Sequence, residues 1–120
     1  MISHVKFVTI PTRDQDRAVK FWTERAGFRV LTDQPFDEKQ RWIELRVGSS
    51  DTRLVLFDMG DGLQPGRQFN GALACDNVEK TYQEMLDRGV EFVAPPTRQP
   101  WGMFAVFKDL DGNTFMISTP

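Results

Sequence analysis

Residues 5–31 read VKFVTIPTRDQDRAVKFWTERAGFRVL, and residues 71–93 answer with GALACDNVEKTYQEMLDRGVEFV. Each stretch runs from a short apolar strand through an Asp and a polar amphipathic segment to a Gly and a second strand. A single offset of 62 residues carries Asp14 onto Asp76 and Gly27 onto Gly89. Self-similarity at a fixed offset is the mark of one structural unit used twice. Beyond each Gly lie three extended runs, 28–32, 41–47 and 53–58 in the first half and 90–94, 103–108 and 113–118 in the second. Each half therefore reads as strand, helix, strand, strand, strand, and the chain as an α+β fold of two such modules.

The helical segments carry their own start and stop signals. Asp14 and Asp16 open the first, with Ala18, Val19, Phe21, Trp22 and Ala26 on its apolar side. Asp76 and Asn77 open the second, with Val78, Tyr82, Met85 and Leu86 expected inward. A side-chain oxygen ahead of a helix satisfies its first free amides, and Gly takes the left-handed turn that ends it. The single domain spans 1–120, with module one at about 1–60, a Gly- and Pro-rich linker at about 61–68 and module two at about 69–120. Residues 33–40 and 95–102 read as loops, and Asp109-Leu110-Asp111-Gly112 as a tight turn closing a hairpin.

A helix on one face of a four-stranded sheet leaves the other face free to line a concave groove. Period-two alternation then sorts the side chains. Ile43, Leu45 and Val47 go under the helix, and Trp42 and Glu44 go to the groove. In the next run Val55 and Phe57 are assigned to the helix side and Leu54 and Leu56 to the groove. In the second half Leu73, Cys75, Ala105, Phe107, Phe115 and Ile117 go under the helix, leaving Asn70, Ala72, Phe104, Val106, Met116 and Ser118 for the groove. The expected groove is apolar and aromatic, with one carboxylate.

Composition narrows the partners. Fifteen basic and 17 acidic side chains give a net charge of −2, which offers no field for a nucleic-acid backbone. The single cysteine allows no internal disulfide, which fits a reducing compartment. The opening MISHVKFVTI lacks the basic head and apolar run of a secretion signal, and no stretch approaches membrane-spanning length. A cytoplasmic protein with no nucleic-acid or membrane partner is expected.

The doubled plan, the FVTIPTRD and FWTERAGFRV segments at the start and the closing FKDLDGNTFMIS together resemble the vicinal oxygen chelate superfamily. This is the group of glyoxalases, bleomycin-resistance proteins and dihydroxybiphenyl-type extradiol dioxygenases. The resemblance covers nearly the whole chain and implies paired βαβββ modules around a groove. It also implies, in the metal-dependent members, His or Glu ligands on the first and last strands of each module. Those positions fall here on Phe7, Leu56, Asn70 and Met116, of which only Asn70 has even a weak donor. The one histidine, His4, stands three residues before Phe7 and so points to the other face. A catalytic divalent ion takes about three converging nitrogen, sulfur or carboxylate ligands, so neither metal nor cofactor is expected.

Glu44 is the sharpest single residue. A carboxylate facing an apolar groove resists ionisation, which would raise its pKa and suit it to acid–base chemistry. An ion pair with Arg41, Arg46, Arg29 or Arg53 is the competing reading. Phe7, Trp42 and Phe104 either stack on a ligand or fill space, and Trp101, beside Gly102, meets either a ligand or another subunit. Cys75 reads as a small buried hydrophobe. The resulting expectation is a homodimeric binding protein for a small hydrophobic or aromatic molecule, held by Phe7, Trp42, Glu44, Leu56, Asn70, Trp101, Phe104 and Met116. The alternative is an enzyme of lyase, isomerase or dioxygenase type, either metal-free with Glu44 as acid or base, or metal-dependent through ligands the pattern does not reveal.

Overall fold

Two sheets of four strands, each crossed by one helical segment, make up the computed structural model, which describes residues 1–58 and 64–120. It divides into two compact units, Met1–Pro65 and Gly66–Pro120. Of the expected linker, residues 61–63 lie outside the described residues, and Gln68 at its end already opens a strand.

In the first unit β1 (Phe7–Ile10) leads into α1 (Gln15–Lys20), which continues as a π-helical turn over Phe21–Arg25. β2 (Arg29–Pro35), β3 (Arg41–Arg46) and β4 (Arg53–Leu56) follow. The sheet order is β1-β4-β3-β2, with β1 parallel to β4 and the other pairs antiparallel. The helical segment must therefore carry the chain from one edge of the sheet to the other. Three strand spacings are about 14 Å, and eleven helical residues span about 16 Å, so its length matches the crossing.

Asp14 caps α1 by accepting from the Arg17 amide at 3.1 Å. The widened turn is closed by the Ala26 amide on the Phe21 carbonyl at 3.3 Å. Two consecutive aromatics, Phe21 and Trp22, end up buried there, and Phe28 stacks on Trp22 with ring centroids 5.2 Å apart. Gly27 then turns the chain at φ 79°, where a β-carbon would be strained.

The second unit repeats the plan with a regular helix. β5 (Gln68–Ala74), α2 (Val78–Asp87), β6 (Glu91–Gln99), β7 (Gly102–Lys108) and β8 (Thr114–Ser118) give the order β5-β8-β7-β6. Asn77 caps α2 through the Lys80 amide at 3.0 Å. Val78, Tyr82 and Met85 form the inward stripe, with Tyr82 edge-on to Phe92 at 4.7 Å. Leu86, expected inward, sits one step round the helix from that stripe and is exposed.

Both stretches read as loops are partly strand. Asp33 to Pro35 belong to β2, and Pro95 to Gln99 belong to β6. Each is an edge strand of its sheet, where proline's missing amide costs no ladder bond.

Candidate functional site: the open faces of the two sheets

Strand register decides which residues share a face. In the first sheet Arg41, Ile43 and Leu45 point one way, and Arg41 meets Asp16 of α1 at 2.8 Å, so this is the helix side. Ile43 pairs with Leu56 and Leu45 with Leu54, while Ile10 pairs with Leu56 on the parallel side. All five apolar residues are buried. Leu54 and Leu56 therefore belong to the core under the helix. The expectation that they line the open face is overturned, and Val55 and Phe57 take that face instead. Four consecutive apolar residues carry no alternation, so their own pattern could not set the phase. Arg53 could have set it, because a charged residue two places before Val55 fixes the solvent side of β4.

The open face of the first sheet is aromatic at one end. Trp42 lies edge-on to Phe7 at 5.4 Å and tilted against Phe57 at 5.1 Å, and Phe36 meets Phe57 at 5.0 Å. Val55 shares this face with Glu44 and is 0% exposed. Phe7 and Trp42 thus lie together on this face. Phe57 and Phe36 join them, Phe36 because its assignment to a loop hid it.

Glu44 is engaged on both oxygens. The Trp42 indole donates to Oε2 at 2.8 Å and the Arg53 guanidinium to Oε1 at 2.5 Å. The hydrogen bond from Arg53, then that from Trp42, hold its pKa below the usual carboxylate range, with burial opposing and Lys6 adding a favourable charge. The expected rise does not occur, since two donors outweigh partial desolvation. A carboxylate held by these two donors is an anchored acceptor with lone pairs to spare, and at neutral pH it carries no proton to give as a general acid.

In the second sheet the expected sides hold. Leu73, Ala105, Phe107, Phe115 and Ile117 share the helix face by register, and Ala72, Phe104, Val106, Met116 and Ser118 share the other. Trp101, exposed in the tight β6–β7 turn, stacks on Phe104 at 6.0 Å. Asn70 is exposed in an irregular stretch of β5, between the Gln68 and Ala72 pairings. Cys75 is half-buried. His4 is exposed and hydrogen-bonds Ser3 at 3.0 Å.

The residues at the superfamily's usual ligand positions do not fit a divalent ion. Phe7 and Met116 offer no hard donor, Leu56 is turned into the core, and among the described residues no three His, Cys, Asp or Glu side chains come together.

A separate cleft of about 500 Å³ in the first unit contains none of these aromatic residues. Thr12, Arg13, Gln15, Lys39, Gln40 and Asp58 are among its walls. The amides of Gln15 and Gln40 are already spent on the fold. Gln15 donates to the Arg41 and Leu56 carbonyls at 2.8 Å each, and Gln40 bonds both backbone groups of Asp58. We read it as a braced polar seam.

The second unit keeps its own polar network at the β7–β8 turn. Asp109 Oδ1 accepts from the amides of Asp111 at 3.0 Å and Asn113 at 2.9 Å, and Asn113 Nδ2 donates to Oδ2 at 2.8 Å. Asn113 Oδ1 in turn accepts from the Gly66 amide at 2.8 Å, tying the turn to the start of the unit. Burial pushes the Asp109 carboxyl up to about 6 despite these donors.

The family model of the Glyoxalase/Bleomycin resistance protein/Dioxygenase superfamily matches residues 2–117. The chain is 34% identical over 119 residues to the uncharacterized protein YetH of Bacillus subtilis (strain 168), covering 98% of each. It is similar in structure to TnmS3, an antibiotic binding protein from Streptomyces sp. CB03234, with a TM-score of 0.88 and 37% identity over 99% of this chain and 97% of that one. A superfamily member from Sphaerobacter thermophilus DSM 20745 superposes with a TM-score of 0.91 at 28% identity, over 99% and 98% of the two chains. Among the described residues no helix is long and apolar enough to cross a membrane.

Proposed function

The chain belongs to the glyoxalase/bleomycin resistance protein/dioxygenase superfamily, and from that membership we propose that it is a metal-independent binding protein for a small aromatic molecule. The observation that carries this reading is the cluster of Phe7, Trp42, Phe57 and Phe36 on the open face of the first sheet, with Glu44 fixed beside it. The half-buried rings of Phe7 and Trp42 and the exposed ring of Phe36, backed by the buried Phe57, offer an apolar platform, and an anchored carboxylate gives a ligand's donor group one fixed place to bond. The antibiotic-binding role of TnmS3, at 37% identity, supports the same reading. Phe104, Val106, Met116 and Trp101 make a second apolar platform in the other unit, with Asn70 available as an amide donor.

In this role the protein holds and shields its ligand, and no proton transfer is required of Glu44. A thermal-shift screen of planar aromatic compounds with and without chelator tests the proposal, because a ligand of the native state raises apparent stability. A stabilising compound should keep its effect in excess chelator and lose most of it in Trp42→Ala. Binding that vanishes with chelator, or that ignores Trp42, would overturn the proposal.

We further propose a homodimer as the working unit. Val30 and Leu31 on β2 and Val93 on β6 are apolar, exposed and on edge strands, the kind of surface a symmetric partner covers. Sedimentation showing only monomer at micromolar concentration would contradict this.

A further inference from the structure

The open face of the first sheet is cationic at the end away from Trp42. Arg29 pairs across the strands with Arg46, Arg46 with Arg53, and Arg53 with Phe7, so three arginines stand in one row on one face. The row beyond it, on the same face, holds Thr32, Glu44, Val55 and Thr9, and the next holds Gln34 and Trp42. Glu44 is the only carboxylate among these residues, and it is committed to Arg53. The Arg46 Nε bonds the Gly48 carbonyl at 3.2 Å, and among the described residues neither Arg29 nor Arg46 meets a carboxylate. Lys6 adds a further positive charge close enough to act on Glu44.

Like charges directly opposite one another on neighbouring strands destabilise a sheet. Here two such pairs share Arg46, in a chain whose net charge is −2. An anion laid across the row would relieve that repulsion, and guanidinium forks suit the planar or tetrahedral oxygens of a carboxylate, sulfonate or phosphate. Four residues of strand separate Arg46 from Trp42, about 13 Å, a span that the arginine side chain shortens. An anionic group at the arginines and an aromatic body at Trp42 therefore fit within one small molecule.

The geometry points to an anionic aromatic compound as the ligand class of this face, its acidic group held by Arg29 and Arg46 and its ring system by Phe7, Trp42 and Phe57. This rests on the binding reading above and adds the charge of the ligand to it. The test compares two fluorescent probes with the same aromatic body, 1-anilinonaphthalene-8-sulfonate and the neutral N-phenyl-1-naphthylamine. The sulfonate should bind about tenfold more tightly or better, one charge-assisted contact being sufficient for that factor, and its advantage should shrink as salt is raised. Arg29→Gln combined with Arg46→Gln should abolish the advantage while leaving the neutral probe unchanged. Arg46→Glu, at a half-buried position at the end of β3, should weaken the sulfonate further, which separates charge from shape. Equal binding of both probes with loss of both in Trp42→Ala would overturn the anionic class and leave the binding reading standing. Sulfonate preference that persists in the double variant would also overturn it, and probes indifferent to Trp42 would sink the binding reading itself.

Discussion

The two modules share a plan but place their carboxylates under opposite stresses. In the first, Glu44 sits on the open sheet face between an indole and a guanidinium and is held below its ordinary pKa. In the second, Asp109 is buried in the β7–β8 turn and pushed up to about 6. The first arrangement offers a charged group to whatever meets the face. The second spends a carboxyl on backbone geometry, fastening Asn113 and, through it, Gly66. A repeated fold unit thus keeps its backbone and divides its polar duties, with a carboxylate on the open sheet face in one copy and a structural clasp in the other.

The strongest way to break this contrast is Asn113→Ala. Asn113 is 2% exposed and both ends of its amide are bonded, so its loss leaves Asp109 and the Gly66 amide short of partners. A destabilisation of about 3 kcal/mol is expected in urea titration, the usual scale for opening a buried polar network. A loss under 1 kcal/mol would show that the turn is no clasp.

The pH dependence sharpens it next. Asp109 has a folded pKa of about 6 against a reference value of 3.8, so between those limits the native state binds more protons than the unfolded chain. Stability should therefore fall as pH rises from about 4 to about 6 and then level off. Asp109→Asn should lack this slope, whose full size is on the order of 3 kcal/mol. Denaturation midpoints measured at several pH values check it, and parallel curves for the two proteins would refute it.

Trp42→Ala comes third. It removes a half-buried ring from contact with Phe7, Phe57 and Phe36 and takes one donor from Glu44. A cost of about 2 kcal/mol is expected in urea titration, below that of a fully buried aromatic, together with the loss of ligand stabilisation described above.

The smallest effect belongs to Glu44→Gln. Its ion pair with the half-exposed Arg53 is worth about 0.5–1 kcal/mol at neutral pH. Because the folded pKa lies below the ordinary value, this contribution is present above that value and disappears as pH falls through the folded one. The variant should therefore match the wild type in strong acid and trail it slightly at pH 7. A loss comparable to that of Asn113→Ala would make Glu44 as structural as Asp109 and erase the contrast.

The doubled plan was legible because Asp and Gly bracket both helices at one offset, and the faces of β7 and β8 were legible because polar residues flank their apolar runs, Lys108 after Phe107 and Thr114 and Ser118 around Phe115–Ile117. The first sheet was harder to read. Leu54, Val55, Leu56 and Phe57 are apolar without a break, so the phase of β4 depended on Arg53, a residue outside the run. The anchoring of Glu44 was equally non-local in part. Trp42 is its neighbour two places along β3, but Arg53 arrives from the adjacent strand and reverses the effect of burial. Prolines hid the ends of β2 and β6, since proline in a strand is acceptable only at an edge, and edge position follows from topology that local pattern does not report.

The parallel edge strands also set a timetable. β1 can pair with β4, and β5 with β8, only after the rest of each module has been laid down between them. Sequential hairpins close in microseconds, whereas a pairing across a whole module pays a larger loop-closure entropy before any bond is gained. Each module should thus assemble its three-stranded meander first and acquire its leading strand last. The same strand, paired last and held on one side only within its sheet, should exchange its amide protons ahead of the two central strands when the native state opens.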